Sequence, residues 1–264
     1  MAAVARPDFG STPGGADMPS MPEYPNPDTW EYANPRQARR AAHSFDILRK
    51  RAVPVYWGPL FVADDDDVMA QSAKDVVQRA LLLWLVTLQA DGIPQADVVD
   101  WIKQDGLWDA ASRAEKEFLE NESPSADECR SLVWRLESVW VLLWALGRVD
   151  ELHWPNAQCD VSKLGELLDE LEADAGFMIA PMLRPISEIL DAQDLILRIH
   201  WAIRDAYLHR QQMIPEDLDW SVGSELIPVT HCEGAAVVAQ WHHTLNWLLD
   251  AVDCQDWDNV DTST

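Results

Sequence analysis

The chain has 264 residues, 48% of them hydrophobic, with 14 tryptophans and a formal net charge of −25 at pH 7. That is enough apolar material for one large domain, or two small ones, around a sizeable core. The charge is unevenly placed: residues 1–62 carry seven Lys/Arg against six Asp/Glu, whereas residues 63–264 carry 13 against 39. Such a body repels nucleic-acid phosphates and anionic membranes and attracts a basic protein partner, although the same charge also serves solubility. No apolar run reaches the length of a membrane span. The first thirty residues lack the apolar stretch of an export signal. Cys129, Cys159, Cys232 and Cys254 stand apart with no CxxC pair, which argues against a zinc ribbon or a thioredoxin-type site. Free thiols without an export signal point to the cytoplasm.

Taken in order, residues 1–34 are rich in Pro, Gly and Ser without a period, and read as a flexible arm partly laid on the body through Trp30 and Tyr32. Residues 35–264 read as a single helical domain. Pro35 opens a helix to about Arg51 whose six cationic residues are expected to dock on the body's own carboxylates. Val53–Val62 is extended, a short strand or a loop turning Tyr56, Trp57 and Phe61 inward. The run Asp64–Asp67 reads as an N-cap with acids suited to the positive end of a helix dipole, and the helix it opens runs to about Ala90. Gly92 and Gly106 end this helix and a shorter one over Gln95–Gln104. Leu107–Glu120 is amphipathic, and Pro124 breaks the chain. Ser125–Leu146 reads as one helix, apolar all round at its VWVLLWAL end and closed by Gly147. Val161–Asp174 is a polar amphipathic helix, and residues 176–185 connect it to the next element.

Ile186–Leu208 (ISEILDAQDLILRIHWAIRDAYL) is the strongest helix in the sequence. At 100° per residue, Ser187, Asp191, Asp194, Arg198 and Asp205 form one polar stripe. The opposite face is apolar but holds His200 and Arg204, one turn apart. A buried guanidinium needs an acid or carbonyl partner, and Glu137, flanked by Val133, Trp140 and Trp144, is the acid expected to meet Arg204 or His200. His200, Arg204, Glu137, Asp194 and Arg198 therefore form the candidate polar network, read either as a ligand pocket or as structural pairs that fix helix register. Glu233–Val252 is the last helix, with Val237, Trp241, Leu245, Leu248 and Val252 inward. His243, Asn246 and Asp250 lie on the wetter face and His242 at the boundary. Adjacent histidines on a helix diverge, and His243 has no ligand partner three or four residues away, so no metal site is expected. Trp257 is expected to tether the acidic tail. No Gly-rich phosphate loop, GxSxG elbow or HExxH motif is present, and no cofactor is expected.

The segments ARRAAHSFDILRKRAVPVY, RLESVWVLLWALGRVDEL, DAQDLILRIHWAIRDA and HHTLNWLL followed by WDNVDT resemble the mainly bacterial family catalogued as domain of unknown function 4272, over roughly residues 36–262. One departure is Gln240–Trp241, where the family resemblance implies an acidic–basic pair before the histidine. The resemblance implies a helical fold and brings no activity, substrate or cofactor.

Three functional readings follow. The leading one is a non-enzymatic acidic protein that binds another protein, in one form an inhibitor or immunity protein against a basic toxin. The alternative is an enzyme or small-ligand binder, with His200 as acid–base group and Arg204 as anion clamp beside Glu137. A third is a subunit whose Trp-rich surface is covered by copies of itself.

Overall fold

The computed structural model describes residues 23–30, 34–209, 212–221, 223–250 and 256–264. Most of the N-terminal arm, with Tyr32, and the stretch containing Val252 and Cys254 lie outside them. The fold is all-α. The helices are α1 (Pro35–Arg49), α2 (Ala73–Ala90), α3 (Gln95–Gln104), α4 (Arg113–Leu119), α5 (Ala126–Val133), α6 (Arg135–Ala145), α7 (Val161–Ala173), α8 (Ala175–Ile179), α9 (Ile186–His209) and α10 (Glu233–Leu249). A small antiparallel pair, β1 (Met213–Pro215) with β2 (Leu226–Pro228), pairs Ile214 with Ile227 between α9 and α10.

The core is a row of helices. α1 packs on α9, α9 on α10, α10 on α6, and α6 on α2; α3 and α5 flank α2, and α7 backs α6. This order explains why α9 buries more than an amphipathic stripe. It is gripped by α1 on one side and α10 on the other, so both its polar stripe and its apolar face meet protein. The middle of α6, Val139 to Ala145, is buried on every side because α2, α10 and α7 surround it.

The structure corrects or refines several readings of the sequence. The Asp64–Asp67 run does not cap α2. Ser72 does: its hydroxyl accepts the Asp75 amide and donates to the Asp75 carboxylate at 2.6 Å. The acids instead form a turn that faces α1, where Arg36 pairs with Asp64 and Asp66 and Arg40 with Asp65. Arg40 also reaches Asp191 on α9 at 2.8 Å, so this basic helix does dock on carboxylates of the body. Leu107–Glu120 is a short 3₁₀ turn followed by α4, which starts at the Ser112–Glu115 capping box. Ser125–Leu146 is two helices broken at Trp134, whose carbonyl takes the Glu137 amide three residues on.

Residues 53–62 make no strand among the described residues and run as a loop beneath residues 23–30. Tyr24 donates its hydroxyl to the Val53 carbonyl at 2.7 Å, and Trp30 packs edge-on to Phe45. Phe61 lies beside Trp30, but Tyr56 and Trp57 are exposed rather than turned inward.

Candidate functional site

The five residues singled out from the sequence do not share one pocket. They separate into three places with different chemistry.

Asp194 and Arg198, on the polar stripe of α9, are almost completely buried, at 0% and 1% exposure. Arg198 Nε and Nη2 donate to the two Asp194 oxygens at 2.8 Å each, and Nη2 also donates to the Leu60 carbonyl at 2.6 Å. Its guanidinium lies over Phe45 at 4.6 Å. The pair therefore pins the 53–62 loop and α1 to α9, in the geometry that an acid four residues before an arginine favours.

Glu137, also buried, does not meet Arg204 or His200. One of its oxygens accepts the Cys159 amide at 2.7 Å and the other accepts Trp241 Nε1–H at 2.9 Å. It thus fastens the 155–160 turn and α10 to α6. Burial, reinforced by the Glu137 charge, pushes the Cys159 thiol up. Arg204 is exposed, in the last two turns of α9.

His200 meets a residue that the sequence placed only at a helix boundary. Its Nδ1 lies 2.6 Å from Nδ1 of His242, which is itself buried. His242 Nε2 accepts from Asn246 Nδ2 at 3.1 Å; the same amide donates to the Asp261 carbonyl at 2.7 Å and accepts from Gln193 Nε2 at 2.9 Å. These bonds fix the protons. His242 accepts at Nε2, so it carries its proton on Nδ1 and donates to His200, which holds its own on Nε2. Burial first, and then neighbouring positive charge, lowers both imidazoles: His200 to about 4, with Arg204 contributing, and His242 to about 3. Both are neutral at pH 7.

The far end of this chain opens into a cleft of about 470 Å³. Gln193 and Asn246 form its inner wall, and Asp67, Asp250 and Asp261 stand around it with Met69 and Val260. Gln193 Oε1 is buried in this wall and has no donor among the described residues. A bond from the Ser263 hydroxyl, then one from the Ser263 amide, holds the Asp261 carboxyl below its usual range. A cleft with these walls accepts hydrogen bonds and attracts cations. Among the described residues its lining holds no nucleophile paired with a base and oxyanion donors. No group of three or more metal-ligating side chains occurs among the described residues.

Sequence reasoning missed two further features. His243, read as facing solvent, is packed against Trp257 and donates Nε2–H to its carbonyl at 3.0 Å, because the C-terminal tail covers that face of α10. Burial and the nearby Arg135 lower His243 to about 4. Arg79 and Glu115 form a buried pair in which Nη1 donates to both carboxylate oxygens, at 2.9 and 2.8 Å, with the guanidinium 5.0 Å from the centre of Trp257. The Ser112–Glu115 capping box was a readable signal for Glu115; nothing local pointed to Arg79 as its partner.

The family model for Domain of unknown function (DUF4272) matches residues 39–260. The chain belongs to the DUF4272 family. On α10, Gln240 accepts from the Ser138 hydroxyl at 3.2 Å and Trp241 donates Nε1–H to the buried Glu137. Both positions join α10 to α6. No curated protein and no solved structure matches the chain. No helix among the described residues is long and apolar enough to cross a membrane.

Proposed function

We propose that this DUF4272 member is a non-enzymatic cytoplasmic protein that binds a basic partner protein, and that the partner's lysine or arginine side chains enter the cleft rimmed by Asp67, Asp250 and Asp261. The observation that carries this reading is the cleft itself. It has carboxylates on its rim and, in Gln193, an amide oxygen with no donor among the described residues, on a body whose residues 63–264 hold 39 acids against 13 bases. Long-range attraction of this kind steers encounter, and the cleft then gives the cationic side chain a defined seat. An inhibitor or immunity protein against a basic toxin is one concrete form.

The enzymatic alternative needs His200, Arg204 and Glu137 around one ligand. Here Glu137 is buried and engaged by Trp241 and Cys159, and Arg204 is exposed, so among the described residues the three are not gathered on one cleft. The test is affinity capture at low and moderate salt, followed by binding measurements on whatever is retained. A basic protein that binds the wild type, dissociates as salt rises, and binds at least about tenfold more weakly to Asp67→Lys/Asp261→Lys supports the reading. A retained partner indifferent to both changes overturns it.

A further inference from the structure

Against this acidic background, one cleft has more cations than carboxylates in its lining, three arginines against Asp65 and Asp191. It measures about 240 Å³ and lies between α1 and the beginning of α9. Arg36, Arg39, Arg40 and His43 line it from α1. Their spacing of three, four and seven residues places them on one helix face. Ser187, in the first turn of α9, lines the other wall.

The charges here are not all spent. Arg36 is taken by Asp64 and Asp66, and Arg40 by Asp65 and Asp191. Arg39 and His43, both exposed, have no hydrogen bond or ion pair among the described residues. The Arg40 side chain is only 5% exposed, yet its Nη1 is buried with no acceptor among the described residues, which normally costs free energy. On the facing wall, the intrahelical bonds of α9 begin with the amides of Glu188 and Ile189 on the Pro185 carbonyl. The amides of Ile186 and Ser187 and the Ser187 hydroxyl have no acceptor among the described residues. α9 is 24 residues long, so its first turn presents free N–H groups together with the positive end of the helix dipole.

We propose that this cleft binds a small phosphate-type oxyanion, as inorganic phosphate or the phosphoryl group of a small phosphomonoester. The Arg39 guanidinium supplies charge and the His43 ring a hydrogen-bond donor from one side, the Ser187 hydroxyl and first-turn amides supply donors from the other, and Arg40 forms the base. The carboxylates in the lining, Asp65 and Asp191, are bonded to Arg40, and Arg39 is left without an acid partner among the described residues. The negative charge elsewhere acts weakly here, because charges separated by more than about 8 Å are largely screened at physiological ionic strength. The site is separate from the acid-rimmed cleft and stands whether or not that cleft takes a basic partner.

The test is an amide-resolved NMR titration of the full chain with inorganic phosphate, against chloride at matched ionic strength, repeated with phosphoserine. The proposal expects the Ile186 and Ser187 amides to shift and saturate with phosphate or phosphoserine and not with chloride. Tighter binding of phosphoserine identifies the ester as the ligand form, and tighter binding of phosphate the free ion. Arg39→Glu should weaken binding at least about tenfold. Arg113→Glu, an equal charge change at an exposed position on α4, should leave it within about twofold. Absence of saturable shifts at residues 186 and 187, or equal weakening by both variants, overturns the proposal.

Discussion

Replacing Arg198 with methionine is the sharpest perturbation of the fold. Arg198→Met keeps most of the side-chain volume but removes the only group bonded to the Asp194 carboxylate among the described residues. It also strands the Leu60 carbonyl. Removing one partner of a buried, hydrogen-bonded ion pair costs about 3–5 kcal/mol, because the other charge is left without compensation. Replacing both partners, in Asp194→Leu/Arg198→Met, removes the charge problem and leaves chiefly the carbonyl, a cost of about 1–3 kcal/mol. The double variant is therefore expected to be more stable than Arg198→Met alone, the reverse of additivity. Urea unfolding of wild type, both single variants and the double variant, with m-values compared, measures this cycle. If Arg198→Met costs under about 1 kcal/mol, or if the double variant is less stable than either single one, the pair does not hold the loop to α9 as described.

Three neutral histidines make stability depend on pH. In the unfolded chain they titrate near 6.5, whereas His200 and His243 are lowered to about 4 and His242 to about 3 by burial. The unfolded state therefore binds more protons between those values, so their contribution is complete above about pH 6.5 and declines as pH falls toward 4, by up to about 1.4 kcal/mol per pH unit for each histidine. Urea midpoints measured from pH 7.5 to 4 should fall in the wild type and fall less steeply in His200→Asn/His242→Gln; parallel slopes would contradict this. Cys159 should resist alkylation in the native protein and react only on unfolding, since its thiol is buried and pushed up beside Glu137. Mass spectrometry after timed iodoacetamide treatment reads this directly, and native-state labelling of Cys159 as fast as in urea would refute it.

Much of the helical order was legible because it rests on local chemistry. Pro35, Gly92 and Gly147 mark ends that the structure keeps, and the apolar repeats of α2, α9 and α10 mark their inward faces. What misled was tertiary. The Asp64–Asp67 run has the composition of a helix start, but Arg36 and Arg40, some 25 to 30 residues earlier, are the stronger partners and hold it as a turn. The α9 stripe was legible as one face, but not which of its members would be buried. Packing between α1 and α10 buries Asp194 and Arg198, whereas Arg204, on the apparently apolar face, emerges near the helix end. His242 and His200 are 42 residues apart, and no periodicity announces their contact. Nor could it reveal that the tail bearing Trp257 would cover His243, or that two three-residue strands ending in proline would pair.

The most direct test of the proposed function is the affinity of the captured basic partner for wild-type protein and for Asp67→Lys/Asp261→Lys as salt is raised. Salt-sensitive binding by the wild type, weakened at least about tenfold by the double reversal at low salt, is the predicted result. Binding that neither salt nor the reversal changes would contradict it.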